Sequence, residues 1–199
     1  MAAPSSRDAT NLAGVWNLNR TLSDDPDKIF ALQGVPWVVR QVLRYASLSL
    51  SISQSICLAD GTFAAPPDAH SNFDYPGDSV TILDITQNVY PGNFNSEGIY
   101  HVNGKPQNLS LPIFGDVVMQ LSYINASSIS DEKLRQTLSE GSSCQVVIDE
   151  IAHNSSKGWE ARVFWGFEYI CDKRYFTRNA IVWKGDKTVN SRMVYDFRC

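Results

Sequence analysis

The residues with chemical potential in this chain are hydrogen-bond donors and aromatic surfaces, not a signature motif. A nucleophile elbow, an HExxH zinc site, a phosphate-binding glycine loop and a dinucleotide fingerprint are all absent. His70, His101 and His153 are far apart in sequence, which argues against a histidine metal site. Asp149 and Glu150 are adjacent, so on a strand they point to opposite sides and cannot act as a same-face acid pair. The candidate catalytic donors are therefore Tyr169, Tyr195, Asn179 and Arg178, and the candidate substrate-binding surfaces are Trp159, Trp165, Phe167, Trp183 and Met193. This set offers no nucleophile, no metal and no call for a cofactor. It suits holding apolar reactants in a fixed pose, with a donor aimed at a carbonyl that gains charge. It suits equally a site that only binds an apolar ligand, and each aromatic taken singly also suits a packed core.

Alternation decides which of these residues share a surface. In segment 159–170, Trp159, Ala161, Val163, Trp165, Phe167 and Tyr169 form one wholly apolar or aromatic face, which is expected to point inward. In segment 188–198 the apolar face is Val189, Ser191, Met193, Tyr195 and Phe197. Segment 174–184 is ambiguous. The face carrying Tyr175, Thr177, Asn179, Ile181 and Trp183 would give an aromatic interior with a few hydrogen-bonding groups, against the alternative of Arg174, Phe176, Arg178, Ala180, Val182 and Lys184.

The elements that must position these faces read as a long antiparallel meander. Gly14–Asn19 is a first strand, and Ser23-Asp24-Asp25-Pro26-Asp27 opens a helical stretch that Gly34-Val35-Pro36 divides in two. Ser47–Ile56 alternates strictly, with serines on one face and Leu48, Leu50, Ile52 and Ile56 on the other. Residues 58–78 form a Pro- and Gly-rich loop suited to capping an opening. Further strands are expected at 79–87, 97–103, 117–124, 143–152, 159–170, 174–184 and 188–198, with a short helix or connection at 130–140. A meander this long removes its edges by closing into a barrel.

Length and composition agree. The chain has 199 residues, 43% hydrophobic and 19% charged, which fits a single globular domain at 12–199 behind a small, polar, flexible segment at 1–11. A net charge of −4 disfavours nucleic acid, and no apolar run is long enough to span a membrane as a helix. Cys57, Cys144, Cys171 and Cys199 lack metal-site spacing and could form two disulfides in any of three pairings. Asn19, Asn108, Asn125 and Asn154 begin glycosylation sequons, and cysteines and sequons together point to the secretory pathway, after removal of a signal peptide absent from this sequence.

Gly14-Val15-Trp16 at the head of the first strand resembles the G-x-W signature of lipocalins and fatty-acid-binding proteins. That resemblance implies an all-β, antiparallel lipocalin-like barrel with a helical insertion after the first strand, and a basic residue, Arg192 or Arg198, packed over the Trp. Asn19–Asp27 and Leu32–Arg40 look like the N-terminal segment of lipocalin-like proteins of fungal secondary metabolism, including hetero-Diels–Alderases that make tropolonic sesquiterpenes. The implied activity is a cofactor-independent cycloaddition joining a reactive diene to a terpene olefin. The alternatives are a carrier of an apolar ligand, which would share the same cavity, and a secreted interaction protein with a filled barrel.

Overall fold

A computed structural model describes residues 1–66, 79–142 and 144–198. The strands are β1 (Gly14–Leu18), β2 (Ser47–Cys57), β3 (Phe63–Ala64), β4 (Val80–Tyr90), β5 (Ser96–Val102), β6 (Gln107–Leu111), β7 (Gly115–Asn125), β8 (Val146–Asn154), β9 (Trp159–Ile170), β10 (Lys173–Lys184) and β11 (Lys187–Arg198). Nine of them close a barrel in the order β1-β11-β10-β9-β8-β7-β5-β4-β2 and back to β1. Every ladder is antiparallel except a single parallel bridge, Val102 to Leu121, between β5 and β7. There β6, which carries no strong strand pattern, folds back on β7, and the Gln107 side chain accepts from His101 N and meets His101 Nδ1 across the gap.

The alternation in β2 has a direct physical outcome. Leu50, Ile52, Gln54 and Ile56 are buried while Ser51 and Ser53 face solvent. Gln54 is polar yet inward because both ends of its amide are used: Oε1 accepts from Leu12 N and Nε2 donates to Thr10 O. The expected flexible segment at 1–11 is consequently packed, with Ala3, Asp8, Ala9, Thr10 and Asn11 buried against one barrel end.

That end is closed by Trp16. Its side chain is 0% exposed, its Nε1 donates to Leu12 O, and its ring meets Phe167, Phe176 and Phe197 at centroid distances of 5.9, 5.2 and 4.8 Å. Gly14 is required here: at φ +136° a Cβ would lie 2.5 Å from Phe197 Cε2. The basic residue over this cluster is Arg174, neither Arg192 nor Arg198. Its guanidinium lies 3.9 Å from the Phe167 ring centroid and donates to the carbonyls of Gly141, Pro4 and Arg7. Arg192 instead pairs with Glu168 outside the barrel, and Arg198 is exposed. Trp16→Ala should destabilise the protein by about 3–5 kcal/mol, read as a lowered urea midpoint with unchanged slope.

The interrupted helical stretch becomes α1 (Asp27–Leu32) and α2 (Trp37–Tyr45), lying over the opposite end. The loop after β2 leaves at the Trp16 end, so its residues 58–66 do not cap the opening as expected; residues 67–78, and His70 with them, lie outside the described residues. A third helix, α3 (Glu132–Gly141), packs on the outside of β9, where Leu138 covers Val147 and Phe164. This cover explains why Phe164 and Gly166, on the outer face of β9, are buried.

The expected cysteine pairs do not appear among the described residues: Cys57, Cys144 and Cys171 are free thiols, and Cys199 lies outside those residues. Of the sequons, Asn108 and Asn125 are exposed, while Asn19 Nδ2 donates to Asp196. Asn154 is 1% exposed and its Nδ2 donates to Phe114 O, which leaves no room for a glycan.

Candidate ligand cavity

Between the Trp16 plug and the two lid helices lies a cavity of about 200 Å³. Its walls are the inward residues of β8 to β11, with β2, β4, β5 and β7 opposite, and its roof is Ile29 and Phe30 of α1, Leu43 of α2 and the 111–114 turn. Ala152, Ala161 and Ala180 keep the middle of the wall thin, which is what leaves space in a barrel otherwise rich in aromatics.

Among the described residues that line it, Glu150 and Arg178 carry the only formal charges, and they are bonded to one another: Arg178 donates from a terminal nitrogen to Glu150 Oε2 at 2.8 Å. Trp165 Nε1 donates to the same oxygen at 2.7 Å, and the Arg178 guanidinium stacks 4.1 Å from the Trp165 ring centroid. Arg178 Nε has no partner. Burial disfavours the Arg178 charge, but Glu150 and the neighbouring Tyr195 and Tyr100 outweigh it and hold the guanidinium firmly protonated.

Tyr195 sits beside this pair, 1% exposed, with its hydroxyl 3.7 Å from Met193 Sδ. Burial raises its pKa, and Arg178 pulls only part of that back. Tyr100 is raised for the same first reason, burial. Both therefore remain donors beyond the ordinary phenol value of 10.0. A raised folded-state pKa favours the fold fully below the unfolded value, and that contribution is lost as pH rises through the folded one. Ultraviolet titration should accordingly show two phenols ionising late, with ligand affinity flat from neutral pH up to that point.

The placement of the sequence candidates is now plain. Arg178, Tyr195, Trp159, Trp165 and Met193 line the cavity. Asn179 and Trp183 do not: of the two faces β10 could present, it turns Arg178, Ala180 and Val182 inward. Asn179 Nδ2 donates to Glu168 and Trp183 Nε1 donates to Glu160, both on the outer surface. The reason is the ion pair. An arginine reads as outward on hydropathy, yet Glu150 compensates it inside. Phe167 belongs to the Trp16 plug beneath the cavity, and Tyr169 lies past it at the end of β9, 58% exposed.

Glu150 and Tyr100 escaped the sequence reading. Each had a signal. Asp149 is held outside by a two-pronged bond with Arg162 on β9, at 2.8 and 2.9 Å, which forces Glu150 inward. On β5, Glu97 and His101 mark an outer face, leaving Gly98, Tyr100 and Val102 inside. The Tyr100 ring lies over Gly98, where a Cβ would stand 2.9 Å from it.

No family model matches the sequence. Two curated fungal proteins do, at low identity over nearly the whole chain. The probable pericyclase scpY of Mollisia scopiformis is 24% identical, covering 98% of this chain and 94% of its own. The pericyclase pydY of an Acremonium species is 22% identical, covering 99% and 97%. Among solved structures the chain resembles a Schistosoma mansoni fatty-acid-binding protein in complex with arachidonic acid, with TM-score 0.51 at 13% identity over 94% of this chain and 96% of that one. The fluorescent protein UnaG gives TM-score 0.53 at 11% identity, over 94% and 97%. The structural likenesses show the fold: a closed barrel resembling those of the lipocalin and fatty-acid-binding-protein type.

Proposed function

We propose that the protein is a pericyclase: a cofactor-independent cyclase that holds a reactive diene against a terpenoid olefin in the barrel and promotes a hetero-Diels–Alder-type cycloaddition. The observation that carries this reading is the internally neutralised Glu150–Arg178 pair, with Tyr195 beside it, on the wall of an apolar cavity. The distant relatives named pericyclases support it.

The chemistry asks little of the protein. In a hetero-Diels–Alder step the diene system gains one carbon–carbon and one carbon–oxygen bond to the olefin in a single cycle of electrons. No group leaves and no net proton moves, so neither base nor nucleophile is needed. Two services lower the barrier: the walls remove the entropy of bringing two reactants together, and donors stabilise charge growing on the conjugated oxygen. Tyr195 O–H and Arg178 N–H are the donors, and Trp165 is the flat surface beneath. Glu150 is a positioning residue, since it touches the substrate only through Arg178 and Trp165.

A fatty-acid carrier is the second reading, favoured by the fold neighbours. The charge count weighs against it. Glu150 already neutralises Arg178, so a carboxylate would bring a second negative charge beside the first in an apolar interior. A neutral carbonyl compound meets no such cost. The test is incubation with an electron-poor conjugated carbonyl diene and a cyclic terpene olefin. Pericyclase action predicts consumption well above the protein-free rate with turnover, whereas a rate equal to the protein-free one leaves only a carrier.

A further inference from the structure

Trp159 is the exception among the tryptophans. Trp16 donates to Leu12 O, Trp165 to Glu150 and Trp183 to Glu160, and Trp37 is exposed to water. Trp159 is 3% exposed, lines the cavity, and its Nε1 has no acceptor. A buried indole N–H normally finds one, because leaving a buried donor unpaired costs about 1–3 kcal/mol. The position is informative. Trp159 opens β9 at the mouth, edge-on to Phe114 in the roof, while Trp165 marks the level of the Arg178 donor. Six residues of strand separate them, about 20 Å along the chain at the usual rise. The wall between is apolar, Ala161 and Val163, apart from Ser191 on β11, whose Oγ is also unpartnered.

We infer that the substrate carries a second oxygen, remote from the reacting carbonyl, which accepts from Trp159 Nε1 at the cavity mouth. This deepens the proposed function by naming the substrate class: an elongated neutral molecule oxygenated at both ends, one oxygen at Arg178 and Tyr195 and the other at Trp159. The second contact fixes which way round such a molecule enters.

The experiment is isothermal titration of the wild type and Trp159→Phe with a long-chain methyl ketone and with matching α,ω-diketones of increasing length. In the wild type one diketone length should bind about five- to tenfold tighter than the monoketone, the worth of one added hydrogen bond. In the variant that advantage over the monoketone, measured in the same protein, should vanish. The ratio is internal to each protein, so partial loss of folded material does not mimic it. No gain for any diketone, or a gain retained in the variant, would each overturn the inference. Failure of the monoketone to bind at all is a different result, which removes the carbonyl site at Arg178 and the inference with it.

Discussion

Tyr195→Phe should lower the cycloaddition rate about 10²- to 10³-fold while leaving the protein folded and substrate affinity nearly intact. The substitution keeps the ring and its contact with Phe176, at 5.3 Å between centroids, and deletes only the hydroxyl, which meets the Met193 sulfur and the Arg178 guanidinium. A thioether is a weak acceptor and Arg178 keeps its bond to Glu150, so stability should change by about 1–2 kcal/mol at most. The rate is another matter. A donor aimed at an oxygen that gains charge in the transition state acts where water is excluded, and removing one such donor typically costs about 2.7–4 kcal/mol of barrier. Single-turnover kinetics beside an equilibrium titration separates the two effects. A fall in affinity with no fall in the bound-state rate would place Tyr195 in binding alone.

Glu150→Gln should change the class of ligand. Arg178 would then stand in the interior without a counter-charge, and breaking a buried pair by removing one member typically costs about 3–5 kcal/mol. The free variant should unfold at a clearly lower temperature than the wild type. A long-chain carboxylate can supply the missing charge, so a fatty acid should restore much of that loss in the variant and do little for the wild type. Trp165 Nε1 keeps an acceptor in the glutamine carbonyl, which limits the change to the charge itself. Thermal unfolding with and without a fatty acid checks both halves. Equal stabilisation of the two proteins would show that Glu150 does not set the charge of the cavity.

These expectations rest on residues of unequal visibility in the sequence. The barrel was legible because most of its strands alternate on one period: the serines of β2 and the aromatics of β9 each name a wall. The helix pair was legible from Asp25-Pro26 and from the Gly34–Pro36 break. β6 was not, because it is short and exposed at alternate positions and leans on β7 alone. The face of β10 stayed ambiguous for a different reason. Hydropathy weighs residues one at a time, and Arg178 is inside only because Glu150, 28 positions earlier, is inside as well. Tyr195 and Arg178 came from alternation on adjacent strands, whereas their relation to Glu150 depends on the β8–β9–β10 register, which no local pattern carries. The same holds for Arg174, whose place over Phe167 depends on carbonyls from Pro4, Arg7 and Gly141.

A rate alone can rise because any apolar surface concentrates two apolar reactants, but handedness cannot arise that way. The cavity is chiral, and the proposed donors Tyr195 and Arg178 lie on its adjacent strands β11 and β10. The decisive measurement is therefore the enantiomeric composition of the cycloadduct formed from an achiral conjugated carbonyl diene and an achiral olefin under wild-type protein, Tyr195→Phe and buffer. The wild type should give a strong excess of one enantiomer, and the variant a drift towards the racemic background. A racemic product from the wild type would contradict the proposed function.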